Sequence, residues 1–189
     1  MLRLGESDSQ EKLAPLWLVH DSNHWSKHMA DARIFADLKA DHDRHRTLLE
    51  QIGDTPADSP KRGELFEAFR VEVTAHAAAE EESLYATMLA NPDLRDDARH
   101  SVSEHKEIDD FLGELADLDT ASAEWTETFG KLRHRYEHHI DEEEEEMFPA
   151  AAEKLSEAEE ARLAGVFERR KPKELERAEA TPAGTDERE

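Results

Sequence analysis

The chain contains no cysteine, and this absence excludes disulfide bonds, thiolate zinc sites, iron–sulfur clusters and cysteine nucleophiles together. Basic residues are few: 24 lysines and arginines stand against 47 aspartates and glutamates, for a formal net charge of −23. A surface this acidic repels phosphate groups, so we expect neither nucleic acid nor an anionic membrane among the partners.

Long apolar runs are missing as well. The longest covers residues 13–19 and contains Pro15, so it is too short to span a bilayer. The N-terminal residues reach an acid at Glu6 without the apolar stretch of a secretory signal peptide. These features predict a cytoplasmic protein.

Helical spacing dominates what is present. Only 7 of the 189 residues are glycine, and apolar residues recur at i, i+3, i+4 and i+7 through the middle of the chain, which is typical of amphipathic helices. The last helix opens at Ser156 with Glu159 three residues later, the spacing of a capping box. The predicted helices cover about residues 31–53, 65–90, 93–117, 125–148 and 156–170.

Four long helices with short connections predict an all-α fold, an up-down four-helix bundle. We place this bundle and the short C-terminal helix at residues 31–172, after an N-terminal arm at residues 1–30. The apolar pattern fades after Lys171 and Pro172, which predicts a disordered acidic tail at residues 173–189.

The bundle contains an internal repeat. A shift of 63 residues aligns Leu49 with Leu112 and Phe66 with Phe129, so the four helices are two copies of one helical hairpin. Each copy carries a histidine on its first helix and a His-x-x-x-Glu pattern on its second. The polar pairs aligned by the shift are His42 with His105, His76 with His139, and Glu80 with Glu143.

These repeated polar residues occupy positions where the helical stripe calls for apolar ones. Residues at i and i+4 share a helix face, so His76 and Glu80 project together, as do His139 and Glu143. Two buried carboxylates without a countercharge cost several kcal/mol each, and no lysine or arginine falls on the same stripes. A pair of metal cations balances this charge, and imidazole with carboxylate suits iron, manganese or zinc.

The segments LKADHDRHRTLLEQI, HAAAEEESLYATM, SEHKEIDDFLGEL and HHIDEEEEEMFP carry a family resemblance. In order and separation they resemble the hemerythrin-like, HHE cation-binding domains, over about residues 31–152. The resemblance implies two iron ions in a nonheme diiron centre with an oxo or hydroxo bridge. Members carry or sense oxygen, bind nitric oxide, store iron or decompose peroxide. By resemblance the ligands are His42, His76 and Glu80 for one iron and His105, His139 and Glu143 for the other, with both glutamates as candidate bridges.

Two departures from the oxygen carriers of this family bear on function. Those carriers have a fifth histidine spaced His-x-x-x-His on the third helix, where this chain has Asp109 after His105, and an aspartate where Glu143 stands. We therefore expect a protein that binds or senses oxygen, nitric oxide or peroxide, or that sequesters iron, rather than a reversible oxygen carrier. The alternatives are a diiron peroxidase or catalase-like enzyme and a structural zinc bundle.

The remaining histidines and acids have less specific interpretations. His45 lies three residues after His42 and aligns with Ile108, so it is either a ligand or hydrogen-bond donor, or a partly buried polar residue beside the site. In the arm, His20, His24 and His28 form a stripe near two tryptophans that packs on the bundle or makes a weak second metal site. The residues expected at the solvated surface are His100, His134, His138, Asp109, Glu81, Glu82, Glu142, Glu144, Glu145 and Glu146.

Overall fold

The computed structural model describes residues 34–181. The predicted N-terminal arm, with its three histidines, and residues 182–189 lie outside the described residues. Within residues 34–181 every regular element is helical, which confirms the predicted fold class, and none of these helices is long and apolar enough to cross a membrane. The helices are α1 (Ile34–Asp54), α2 (Pro60–Glu80, a π-helical turn Glu81–Tyr85, then Ala86–Ala90), α3 (Arg95–Asp117), α4 (Ala123–Glu142, a π-helical turn Glu143–Met147, then Phe148–Lys154) and α5 (Glu157–Ala180).

Local side-chain chemistry sets where the last two helices begin. The Ser122 hydroxyl accepts a hydrogen bond from the Trp125 backbone N–H at 3.0 Å, at the start of α4. At the start of α5, the Ser156 hydroxyl accepts from the Glu159 N–H, and the Glu159 carboxylate accepts from the Ser156 N–H at 2.9 Å. The capping box predicted from the sequence is therefore confirmed.

The buried apolar side chains of the bundle form two separate clusters. Helix α1 contributes Leu38 to the first cluster and Leu49 to the second, whereas α2 contributes Phe69 to the second cluster before it contributes Leu84 to the first. Helices α3 and α4 continue this alternation. The four helices therefore run alternately up and down, and a layer of buried polar residues separates the two clusters.

Helix α5 is longer than the sequence predicts. The prediction of a disordered tail at residues 173–189 is wrong for its first part, because α5 continues past Pro172 to Ala180. Ala178 is buried, and Arg70 of α2 donates a hydrogen bond to its carbonyl oxygen at 2.9 Å. Polar contacts of this kind leave no apolar stripe in the sequence, so helical periodicity did not reveal them.

Helix α5 covers the first hairpin far more than the second. It packs mainly along α1 and α2, the helices of the first hairpin. From this helix, the Phe167 ring meets the His76 ring edge-on, with 5.8 Å between ring centroids. The first half of the polar layer is therefore covered by a helix that has no counterpart in the repeat.

Candidate metal centre

The four bundle helices bring the six repeated polar residues into one buried layer. None of them is more than 4% exposed, although histidine and glutamate are rarely buried unless they have partners. One histidine comes from each of α1 and α3, and a histidine and a glutamate come from each of α2 and α4. The residues are His42, His76, Glu80, His105, His139 and Glu143.

Glu143 lies between histidines of the two hairpins. Its Oε2 is 3.3 Å from His42 Nε2, and its Oε1 is 3.4 Å from His139 Nε2. His105, His139 and Glu143 each offer a ligand atom within 4.8 Å of the other two. The trio assigned to one ion by resemblance is therefore close enough to surround a single cation.

Glu80 has the equivalent position on the other side of the layer. Its Oε2 lies 3.5 Å from His76 Nε2 and 3.7 Å from His105 Nε2. His42 Nε2 lies 3.2 Å from His76 Nε2. Each glutamate therefore reaches histidines of both hairpins, which is the placement that a carboxylate bridging two ions requires.

The outward nitrogen of all four histidines faces a carboxylate. Because a carboxylate only accepts hydrogen bonds, Nδ1 carries the proton and Nε2 presents its lone pair to the interior. Metal-binding histidines are oriented in this way by partners outside the ligand set. The pairs are His42 with Glu144 (2.8 Å), His76 with Asp41 (3.1 Å), His105 with Glu81 (2.8 Å) and His139 with Glu104 (2.8 Å).

These four anchoring carboxylates are functional residues that the sequence analysis missed. The expectation that Glu81 and Glu144 are solvated surface acids is wrong, because both are half-buried and bonded to histidine. The hydrogen bond from His42 lowers the pKa of Glu144 to about 2. A signal was present in the sequence: the 63-residue shift aligns Glu81 with Glu144 and also Asp41 with Glu104.

A π-helical turn widens α2 and α4 next to the centre. The two turns are Glu81–Tyr85 and Glu143–Met147, and such turns are frequent at functional sites. In α2, the neighbouring residues Glu80 and Glu81 face the two ring nitrogens of His105, at 3.7 Å and 2.8 Å. In α4, Glu143 and Glu144 likewise face the two ring nitrogens of His42, at 3.3 Å and 2.8 Å. Each π-helical turn therefore lets one helix supply both a central and an anchoring carboxylate.

The two central carboxylates lack the partners that buried anions require. Neither oxygen of Glu80, nor Oε2 of Glu143, accepts a hydrogen bond from any residue of the described range. Burial raises the pKa of both carboxyls, and repulsion from Glu81 at Glu80 and from Glu80 at Glu143 adds to it. Metal cations would supply the missing positive charge, and this donor set fits them.

Burial also keeps the histidines in the form that binds metal. It lowers the pKa of His42 and, to a greater extent, that of His76, and it lowers the pKa of His139 to about 3. These imidazoles are therefore neutral at physiological pH, with a lone pair available on Nε2.

Aromatic rings close the layer on the side of the first apolar cluster. Tyr85 stacks on His105 with 5.5 Å between centroids, and Phe148 stacks on His42 with 5.9 Å. Tyr85 and Phe148 are equivalent in the repeat, but Tyr85 has a hydroxyl, which donates a hydrogen bond to Glu143 Oε1. The centre therefore has an O–H donor on one side and a plain hydrocarbon ring on the other.

His45 is buried but stands apart from the six residues. Its Nδ1 lies 2.5 Å from the Tyr136 hydroxyl, and its Nε2 lies 4.0 Å from Glu72 Oε2. Its ring meets the His76 ring edge-on at 5.2 Å between centroids. His45 Nδ1 is engaged by Tyr136, and its Nε2, which has no hydrogen-bond partner among the described residues, has Glu72 rather than Glu80 or Glu143 as the carboxylate within 4.0 Å. The structure therefore favours the interpretation of His45 as a buried polar neighbour of the site rather than a ligand.

One lysine reaches an anchoring carboxylate from outside the bundle. Lys171 of α5 binds Asp41 and lies 3.0 Å from Glu72 Oε2, and burial lowers its pKa to about 8. Lys171 lies on a fifth helix, outside the stripes of the four bundle helices, so its pairing with Asp41 could not be predicted from those stripes. Since Lys171 pairs with Asp41 rather than with Glu80 or Glu143, the central carboxylates still lack a countercharge from residues 34–181.

A groove of about 790 Å³ runs between α2, α3 and α5 and reaches the centre at His105 and Glu81. Asp109, which stands where oxygen carriers have their fifth histidine, lines this groove and is half-buried. The groove gives small molecules a path from solvent to one side of the centre.

The other predicted surface residues are placed as follows. Asp109 and Glu142 are half-buried rather than fully solvated. The residues found exposed, as predicted, are His100, His134, His138, Glu82, Glu145 and Glu146.

Fold and site together define a helical-bundle protein whose interior offers four histidines and two carboxylates to cations. The family model of the hemerythrin HHE cation binding domain matches residues 33–151. The chain belongs to this family, as its sequence resemblance implied.

Individual relatives come from mycobacteria. The chain is 29% identical over 111 residues to "Uncharacterized protein Rv2633c" of Mycobacterium tuberculosis, a match that covers 57% of this chain and 67% of the relative. The same figures hold for "Uncharacterized protein Mb2666c" of Mycobacterium bovis. The crystal structure of a hemerythrin HHE cation binding domain-containing protein from Mycobacterium kansasii, a Rv2633c homolog, matches with a TM-score of 0.71 at 24% identity. This match covers 79% of this chain and 91% of that chain, and it shows the shared fold.

Proposed function

We propose that this chain is a nonheme diiron protein whose centre binds oxygen, nitric oxide or peroxide. The observation that carries the proposal is the meeting of three unpartnered buried carboxylate oxygens with inward-facing histidine nitrogens. When bound, the ions would supply redox chemistry and open coordination positions. His42, His76 and Glu80 would hold one ion, and His105, His139 and Glu143 the other.

The donor set supports iron over structural zinc. Structural zinc sites are closed by four ligands, usually including thiolates, and this chain has no cysteine. Six protein ligands would be shared between two ions, which would leave coordination positions free for a bridge and a small ligand. The two glutamates that reach both hairpins suit a pair of ions rather than one.

The burial of the centre supports a small ligand. None of its six residues is more than 4% exposed, and access through the groove ends at His105 and Glu81. Molecules of two or a few atoms fit this restriction better than organic substrates do.

Decomposition of peroxide is the second candidate, and Tyr85 favours it. Tyr85 is fully buried, and its hydroxyl donates a hydrogen bond to Glu143 Oε1. Cleavage of the O–O bond of peroxide requires a proton at an oxygen, and Tyr85 is placed to supply one beside the ions. If this candidate is correct, Tyr85→Phe lowers the rate of peroxide loss while iron content is unchanged.

Metal analysis of aerobically purified protein tests the main proposal. We expect about two irons per chain, in keeping with the doubled half-site, and near-ultraviolet absorption from a bridged diferric pair. One zinc per chain and no iron, after expression with ample iron, would contradict the proposal and support the structural zinc bundle.

A matched pair of histidine variants ties the metal to the site. His139→Ala removes an inward Nε2 and should lose most of one iron, with helicity retained. His134→Ala changes an exposed histidine of the same helix and should keep both irons. Equal iron content in the two variants would exclude His139 as a ligand.

A further inference from the structure

A second group of histidines and carboxylates lies on the α3–α4 hairpin, outside the six-residue centre. His100 and Glu104 are one turn apart on α3, and His138 and Glu142 are one turn apart on α4. We name these four residues the outer cluster. His100 Nε2 lies 3.3 Å from Glu104 Oε1 and 3.8 Å from Glu142 Oε2, and His138 Nδ1 lies 3.1 Å from the same Glu142 oxygen.

Glu104 and the Oε2 atom of Glu142 are buried, whereas the histidines of the outer cluster are exposed. Glu104 is 2% exposed, and neither its Oε1 nor Glu142 Oε2 accepts a hydrogen bond from any residue between 34 and 181. The side chains of His100 and His138 are 63% and 50% exposed. The charged groups that face these oxygens are Arg135 and His100 for Glu104 Oε1, and the two histidines for Glu142 Oε2. Accessible imidazoles therefore meet buried carboxylate oxygens that no hydrogen bond satisfies, an arrangement that a metal ion would complete.

The spacing of these atoms suits a single metal ion. Bonds of about 2.0–2.2 Å from zinc to nitrogen or oxygen place the ligands of a tetrahedral ion about 3.3–3.6 Å from one another. The three contacts of the outer cluster measure 3.1, 3.3 and 3.8 Å. One ligand atom from each of His100, Glu104 and Glu142 lies within 4.8 Å of the other two.

We propose that the outer cluster is a separate cation site that takes a divalent transition metal ion such as Zn²⁺. His100, Glu104 and Glu142 would hold the ion at the surface of the α3–α4 hairpin, with His138 beside Glu142 as a further imidazole. Glu104 connects this site to the centre, because its Oε2 accepts a hydrogen bond from His139 Nδ1 at 2.8 Å while its Oε1 faces His100.

The positions of the first hairpin that are equivalent to the outer cluster hold different residues. Shifting by 63 residues aligns Asp41 with Glu104, but places Ala75 and Ala79 where the outer cluster has its α4 members. Both alanines are buried in α2, along which α5 packs, and Lys171 of α5 binds Asp41. Asp41 is therefore closed off by the covering helix α5 and paired with Lys171, whereas Glu104 lies beside the two exposed histidines of the outer cluster, where an ion could reach it.

Arg135 competes with the proposed ion. Its Nη1 lies 3.1 Å from Glu104 Oε1, and its Nη2 lies 2.6 Å from Glu107 Oε2. An ion bound to Glu104 must displace Nη1, after which Arg135 retains Glu107. Removal of the arginine charge should therefore strengthen metal binding, whereas removal of a residue that merely supports the helix would weaken it.

Titration of the iron-loaded protein with ZnCl₂, followed by calorimetry, tests the proposal. We expect one zinc per chain, bound at least tenfold more weakly in the double variant His100→Ala/His138→Ala and severalfold more tightly in Arg135→Gln. His134→Ala and the arm variant His20→Ala/His24→Ala/His28→Ala are controls that should bind zinc like the parent. Iron and zinc are counted in the same samples after desalting, so a failure of this site is distinguishable from a failure of the diiron proposal.

Three results would overturn the outer cluster as a cation site. The first is unchanged zinc affinity in the double variant, and the second is loss of binding in the arm variant alone. The third is zinc uptake that occurs only with equal loss of iron, which would place the zinc in the centre instead.

Discussion

Asp41 and Glu104 occupy equivalent positions in the two hairpins, and each accepts a hydrogen bond from the Nδ1 of a histidine on the following helix, at 3.1 Å and 2.8 Å. Their other contacts differ, since Lys171 binds Asp41 and Arg135 lies beside Glu104. The duplicated helices therefore keep the orientation of the ligand rings while the charge around each ring has diverged.

The anchoring carboxylates should control metal affinity. Glu144→Ala frees the Nδ1 of His42, so the ring can rotate or change tautomer, and we expect the iron affinity to fall about 10–100-fold. Glu145→Ala removes the same charge from an exposed neighbour and is the control. Chelator competition measures both, and equal iron retention in the two variants would show that the Glu144 contact is dispensable.

Lys171 should contribute strongly to stability. Lys171→Met leaves the buried Asp41 with only the half-exposed Arg44 as its cation, so we expect a cost below the about 3–5 kcal/mol of a buried ion pair that loses one partner completely. Lys173→Met, at an exposed position of the same helix, should change the free energy of unfolding little. Urea unfolding compares them, and matching midpoints would mean that water replaces the lysine at no cost.

The second half of α5 should also stabilise the fold. A chain that ends after Pro172 loses the hydrogen bond from Arg70 to the Ala178 carbonyl and the buried face around it, so its melting temperature should fall by several degrees. A chain that ends after Thr181 keeps all of α5 and should melt like the full chain. Thermal melting followed by circular dichroism separates these outcomes, and identical melting would favour the disordered tail predicted from the sequence.

Features that recur with the helical period or with the 63-residue repeat could be predicted from the sequence. Contacts between residues far apart in the chain could not. Apolar spacing located the four bundle helices, and the 63-residue repeat brought out the six central residues. Glu81 and Glu144 were missed because an acid on a helix surface looks solvated until a histidine from another helix is known to face it. Lys171 was missed for the same reason, since its partner Asp41 is 130 residues away.

Acidity should stabilise the metal-free protein through its two central carboxyls. Burial raises the folded-state pKa of Glu80 and Glu143 above the ordinary value of 4.5. The folded state therefore retains protons that the unfolded chain releases, so this contribution is present at low pH and is lost as the pH rises above 4.5. We expect metal-free Glu80→Gln/Glu143→Gln to melt several degrees above the metal-free parent at pH near 8, and closer to it at pH near 5.

The histidines contribute to stability with the opposite pH dependence. This contribution cancels when the metal-free parent is compared with the metal-free double glutamine variant. Lowered pKa values for His42, His76 and His139 give stability that is complete above 6.5 and is lost as the pH falls. Both proteins contain these residues, so the difference between their melting temperatures isolates the carboxyls. A difference that grows toward acid pH would contradict the assignment.

The reaction of the reduced protein with oxygen should be irreversible. Asp109 stands in place of a fifth histidine, and His45 binds Tyr136 through its Nδ1, so the centre should have one imidazole fewer than the carriers and carboxylates should make up a larger share of its ligands. Carboxylate ligands supply negative charge and favour the ferric state. Stopped-flow absorption after mixing with oxygen should show direct conversion to the diferric form, and a spectrum that reverts when oxygen is removed would contradict this expectation.

The π-helical turns also bear on the history of the chain. Each turn adds one residue to a helical turn. The number of residues from His76 to Tyr85, across the turn in α2, nevertheless equals the number from His139 to Phe148, across the turn in α4. The two turns begin within one residue of the same position in the repeat, so two independent insertions would have had to occur at nearly the same place in both helices. A single insertion in an ancestral hairpin, copied when that hairpin was duplicated, explains both, so the widened turn is older than the four-helix bundle that now contains it.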